Sequence, residues 1–368
     1  MTREMFLYPW DLYDEKPQAV TDQLLQMKIE GVSLAVLYHH ARMLLPHNPV
    51  RKLLVHDSGS LYIPFDPDKY GSLRPNAGKA VPPGFVQDYL RYAGKSMKSV
   101  TAWAVLLHNS DLAGRYPEYA LRNVFDDRSP SNLCPSNEAV WEYVLQVCRD
   151  IAESGFSGID AESLDYAGFF HGDHHEMHAY SSVDEINRLM GICFCPSCVR
   201  KAKALGIDVP ELKKQVRKAA EALLELKTAV PVDRNLLEAY EAFRCDNISA
   251  LFHEAEKAAG IPVRPIVWAA GGANPLHSGV DPVKINPSGI ILCYPPSPAD
   301  TAQFVKSSAD YCASTVSITG GIRLMSPQTT HAGQVLLYEE AYRAAGINRV
   351  IYYQYGMAPQ PFLDQLKQ

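Results

Sequence analysis

Residues 136–163, "SNEAVWEYVLQVCRDIAESGFSGIDAES", decide how this chain of 368 residues folds. Up to Gly155 the stretch is amphipathic and reads as a helix. Ser136 followed by Glu138 supplies an N-terminal signal, and Gly155 a stop. The next segment, "GFSGIDAES" (155–163), is a short apolar run of strand length that ends in two acids. A helix handing over to such a strand is one unit of a parallel α/β fold.

The same alternation runs outward in both directions. Strand-like text recurs at 4–10, 31–39, 99–108, 262–269, 289–295, 316–325 and 349–356, with amphipathic stretches such as 16–30, 83–97, 298–314 and 329–346 between them. Eight strands and their helices predict a (β/α)8 TIM barrel with long β-α loops. One domain over 1–368 is expected, elaborated by a helical insertion at about 208–250. A doubly wound open sheet is the competing architecture. No strand leads into a G-x-G-x-x-G or G-x-x-x-x-G-K-[ST] turn, which removes the usual nucleotide reading.

The net charge of −6 argues against nucleic acid and anionic membrane surfaces as partners, because both demand a positive field. The text "MTREMFLYPWDLYDE" has no basic region followed by an apolar run and a cleavage site, so a cytoplasmic location is expected. Spare amphipathic surface around 208–250 leads us to expect a homo-oligomer.

Barrel enzymes carry their chemistry at the C-terminal ends of the strands. At the fourth, Asp160 and Glu162 are two residues apart and share one side of the strand. Paired carboxylates suit glycoside hydrolysis, in which one donates a proton and the other serves as base, nucleophile or charge stabiliser. In the other reading Asp160 pairs with a basic neighbour and leaves Glu162 as the single chemical group. The remaining strand ends offer Trp10, Asp11, His39, His108, Asn109, Trp268, Tyr294, Arg323 and Gln354, a mixture of rings and hydrogen-bonding groups that suits a small saccharide. The loop "HGDHHEMH" (171–178) brings His171, His174 and His175, either as a hydrogen-bonding lid or as ligands of a divalent ion.

Cys193, Cys195 and Cys198 form C-x-C-x-x-C, a spacing that wraps three thiolates around one tetrahedral ion, with Cys134 the natural fourth ligand. Unligated buried thiols are the alternative. The succession "LCPSN", "GIDAES", "CFCPSC" resembles the zinc-containing β-galactosidases of the retaining barrel clan, and the wider text of 130–210 is similar to glycosyl-hydrolase-like bacterial barrels. The resemblance implies a glycosidase with Glu162 as acid/base and a structural Zn2+ on the four cysteines. Where that clan ends its seventh strand in a glutamate, this chain has "GGIRLMSPQTT" with Arg323, so a second carboxylate would come from Asp160 or Asp11. Two further functions stay open: a metal-dependent lyase, isomerase or hydrolase built on the histidine loop, and a non-catalytic sugar-binding barrel.

Overall fold

A computed structural model describes residues 1–170, 177–181, 183–268, 274–309 and 316–368. Eight parallel strands close on themselves: β1 (Thr2–Leu7), β2 (Gly31–Tyr38), β3 (Ser99–Val105), β4 (Ile159–Glu162), β5 (Val263–Trp268), β6 (Gly289–Cys293), β7 (Ser317–Arg323) and β8 (Arg349–Tyr353). Each pairs with the next, and β8 pairs back onto β1 with Glu4 beside Ile351. The fold is the (β/α)8 barrel, and every strand expected from the sequence is present.

Burial explains the strand text. All eight residues of β2, "GVSLAVLY", are buried, as befits a strand covered by helices outside and by barrel contents inside. The helix Glu138–Glu153 packs Val140, Val144, Val147 and Ile151 inward. Its cap is Asn137, whose side chain accepts the amide of Ala139, and not Ser136, whose hydroxyl is engaged with that of Tyr166 at 2.7 Å. Gly155 ends it at φ +93°, a conformation that a side chain disfavours.

The first strand stops earlier than its apolar run suggests. Pro9 opens a helix, Pro9–Glu15, in which the Asp11 carboxylate accepts the amide of Tyr8 at 2.9 Å. The helical elaboration also differs in extent from the expected 208–250. Helices Asp184–Met190, Pro196–Ala204 and Val209–Leu224 lie in the loop after β4. Arg234–Ala259 packs against Glu138–Glu153 and leads straight into β5, which makes it the outer helix of the fourth unit.

Two other loops shape the barrel mouth. After β2 comes a hairpin, Ala41–Leu44 paired with Leu53–His56. After β3 comes a ribbon, Ala120–Arg122 with Arg128–Leu133, that delivers Cys134. No described helix is long and apolar enough to cross a membrane.

Candidate active site

The barrel interior is layered by the two-residue step of its strands. The lower layer is ionic. Asp160, fully buried, accepts Ser33 Oγ and Thr101 Oγ1 on Oδ2 at 2.6 Å each, and Arg264 Nε on Oδ1 at 2.6 Å. Arg264 reaches on to Glu4 at 3.0 Å, and Glu4 also accepts Arg349 Nε at 2.7 Å. Every Asp160 oxygen is committed to a neighbour, so the reading with a basic partner is the one the geometry favours.

Glu162 sits two residues further along β4 and lines a cavity of about 330 Å³ at the barrel mouth. Trp103, on the adjacent strand, donates its indole N–H to Oε2 at 2.6 Å. Burial pushes the carboxyl up to about 7; the Trp103 hydrogen bond opposes this, and the charge of Asp165 adds to it. A carboxyl poised there is part acid, part base at neutral pH.

The walls are aromatic. Phe6 and Trp103 pack at 4.8 Å between ring centres, and Trp268 meets Tyr294 edge-on at 5.3 Å. Tyr8, Tyr38 and Tyr353 bring three hydroxyls together: Tyr8 donates to Tyr38 at 2.7 Å, and Tyr353 lies 3.4 Å from both. Burial pushes all three phenols upward, so each keeps its proton.

Of the residues expected to meet substrate, His39, Trp268, Tyr294 and Arg323 line this cavity with Glu162. His108 stacks on His39 at 4.8 Å, one ring behind the wall. Trp10 is wholly buried, stacked on Tyr8 at 4.5 Å. Asp11 and Gln354 are buried and joined to each other at 2.9 Å. Burial pushes Asp11 to about 7, but it lies outside the cavity, with Gly356 packed against its Oδ1. Asn109 caps the helix Ser110–Arg115 by accepting the amide of Leu112. His171, His174 and His175 lie outside the described residues.

Sequence reasoning missed Phe6, Tyr8, Tyr38, Arg42, Trp103 and Tyr353. The signal was parity. Tyr353 faces inward because Arg323, its partner in register, does, and Gln354, just past the end of β8, turns its side chain to Asp11 instead.

The four cysteines converge as the spacing predicts. Sγ of Cys134 lies 3.5 Å from Cys198, 3.8 Å from Cys193 and 3.4 Å from Cys195, and all four sulfurs fall within 4.8 Å of one another. Sulfurs about 2.3 Å from a shared tetrahedral zinc ion would stand about 3.8 Å apart. The buried group is therefore close enough to hold a metal ion. Backbone amides of Arg122, Ser136 and Cys198 point at three of the sulfurs, and Tyr240 fixes the Cys193 carbonyl at 2.6 Å.

The barrel has known counterparts. Its structural neighbours are glycoside hydrolases. They include the catalytic domain of a β-amylase from Paenibacillus polymyxa (TM-score 0.61, 11% identity, covering 100% of this chain and 97% of that one). A β-galactosidase from the psychrophilic Marinomonas ef1 matches with TM-score 0.58 at 9% identity, over 100% of this chain and 58% of that one. α-L-Fucosidase isoenzyme 2 from Paenibacillus thiaminolyticus matches with TM-score 0.55 at 14% identity; the chain covers 48% of its length, about half. No protein-family model matches the chain, and no curated protein matches it in sequence. At these identities the likeness is one of fold.

Proposed function

We propose that the protein is a glycoside hydrolase acting on a small saccharide or glycoconjugate, with Glu162 as the proton donor. The observation that carries this reading is a carboxyl held near neutrality at the end of β4, inside an aromatic cavity at the catalytic face of the barrel. Trp103 occupies Oε2, which leaves Oε1 to carry the proton toward a glycosidic oxygen. Rings such as Trp268 and Tyr294 offer apolar faces to the sugar, and the tyrosine hydroxyls offer partners for its alcohols.

Asp160 acts in this reading as a positioning residue. It anchors β4 through Arg264 and so fixes the height at which Glu162 meets the cavity. Among the described lining residues Glu162 is the one carboxylate, and Asp165, on the loop after β4, is the acid whose field already reaches it. The cysteine group suits a structural zinc ion, since four thiolates close the coordination sphere and leave no place for a reactive water. The ion would clamp the loop after β3 to the loop after β4.

The test is hydrolysis of a broad panel of natural and chromogenic glycosides by the native protein and by Glu162→Gln. Turnover lost in a folded variant that still binds the sugar supports the assignment. Binding without turnover by the native protein transfers the weight to a sugar-binding barrel.

A further inference from the structure

The cavity around Glu162 is unbalanced in charge. Among its described lining residues two guanidinium groups, Arg42 and Arg323, face one carboxyl that burial holds near neutrality. Arg323 ends β7. The one side-chain hydrogen bond it makes among the described residues is a long contact, 3.5 Å, from Nη1 to Gln328 Oε1. Its Nε is buried with no partner among the described residues. A buried N–H without an acceptor is costly, and a guanidinium edge is shaped to take two oxygens of one oxyanion.

Arg323 is also well placed to see a ligand. Its charge reaches Cys293 and Tyr353, two of the groups that the charge of Glu162 also reaches, yet among the described contacts the two do not pair. They therefore flank one patch of cavity wall. Arg42, on the hairpin strand Ala41–Leu44, is exposed at the rim and adds a second positive charge. A neutral sugar hydroxyl accepts one N–H at a time and brings no charge to balance the guanidinium, whereas an oxyanion supplies both.

We propose that the cavity selects a saccharide bearing an oxyanion on or beside its ring, a carboxylate, sulfate or phosphate, with Arg323 as the specificity-determining residue and Arg42 drawing the ligand in. This rests on the saccharide reading of the site. Arg323 meets the oxyanion with a terminal nitrogen and, with a small shift of the side chain that uncovers it, with Nε as well, while the long-range field of Arg42 favours encounter. The anion also opposes ionisation of Glu162 and so keeps the acid charged with its proton.

Calorimetric titration of the native protein compares matched sets: methyl glucuronide and galacturonide, the 6-sulfates and 6-phosphates of methyl glucoside and galactoside, and the two neutral methyl glycosides. At least one anionic class should bind roughly ten- to a hundredfold more tightly than its neutral match, the increment of one charge-assisted contact. The preference should shrink with salt and vanish in Arg323→Gln. Which class wins distinguishes carboxylate from sulfate and phosphate. Equal or absent binding across the panel, or a preference untouched in folded Arg323→Gln, overturns the proposal. Anion-selective binding without hydrolysis of the matching glycosides would refute the hydrolase reading and leave this one standing, whereas efficient turnover of neutral glycosides by Arg323→Gln would do the reverse.

Discussion

Replacing Glu162 by glutamine should make the protein more stable, and only above a particular pH. Raising the carboxyl from 4.5 to about 7 means that the fold disfavours its ionised form by about 3 kcal/mol. Between those two values the folded chain retains a proton at Glu162 that the unfolded chain has released, so the stability contributed by this group falls as pH rises and stays low beyond 7. Glutamine is neutral throughout, keeps much the same shape and can still accept the Trp103 N–H. Asp11, also pushed to about 7, titrates alike in both proteins and cancels from the difference. Denaturant unfolding of both proteins from about pH 4 to pH 8 should give equal stabilities at the acid end and an advantage for Glu162→Gln of up to about 3 kcal/mol at the alkaline end. A difference that is flat with pH, or that favours the native protein above pH 7, would sink the claim that burial holds this carboxyl up.

Other expectations are as direct. Trp103→Phe removes the hydrogen bond that favours ionised Glu162, worth about 1.5–3 kcal/mol, so the alkaline limb of any kcat/KM profile should move up by roughly one to two pH units. An unmoved limb would mean that Glu162 is not the titrating acid. Asp160→Asn leaves Arg264 buried and half-paired and should cost about 3–5 kcal/mol in unfolding measurements; normal stability with lost turnover would instead give Asp160 a direct chemical role. Elemental analysis should find one equivalent of zinc on the native protein and none on Cys198→Ser, with Tm lowered on the order of 5–10 °C; equal metal content in both would refute the four-cysteine site.

How the sequence foreshadowed this structure depends on which physical signal each residue carried. The apolar runs and their helical partners are local, so all eight strands were legible, and the cysteine spacing already contained its own geometry. Step-two alternation placed Asp160 and Glu162 on one side of β4 but was silent on depth. Depth is set by Ser33, Thr101, Arg264 and Glu4, contributed by four other strands. Trp10 and Asp11 looked like a strand end because the apolar text continues through Tyr8. Pro9 and the Asp11 cap turn the chain into a helix there and carry both side chains out of the mouth. Gln354 lies one residue past the end of β8, where its side chain turns to Asp11 and the Met357 amide instead of the cavity. Arg323 was visible as a strand end, yet its unmatched Nε appears only once its neighbours are in place.

The three tyrosine hydroxyls have a property that no single one of them possesses. Each phenol has one hydrogen to give and lone pairs to receive, and its hydroxyl hydrogen can swing from one side of the ring to the other about the C–O bond. Three of them in mutual reach can circulate their hydrogens in either sense around the triangle, or break it open and turn one outward. The same patch of wall can thus present a donor to one ligand and an acceptor to the next while every carbon, nitrogen and oxygen stays where it is.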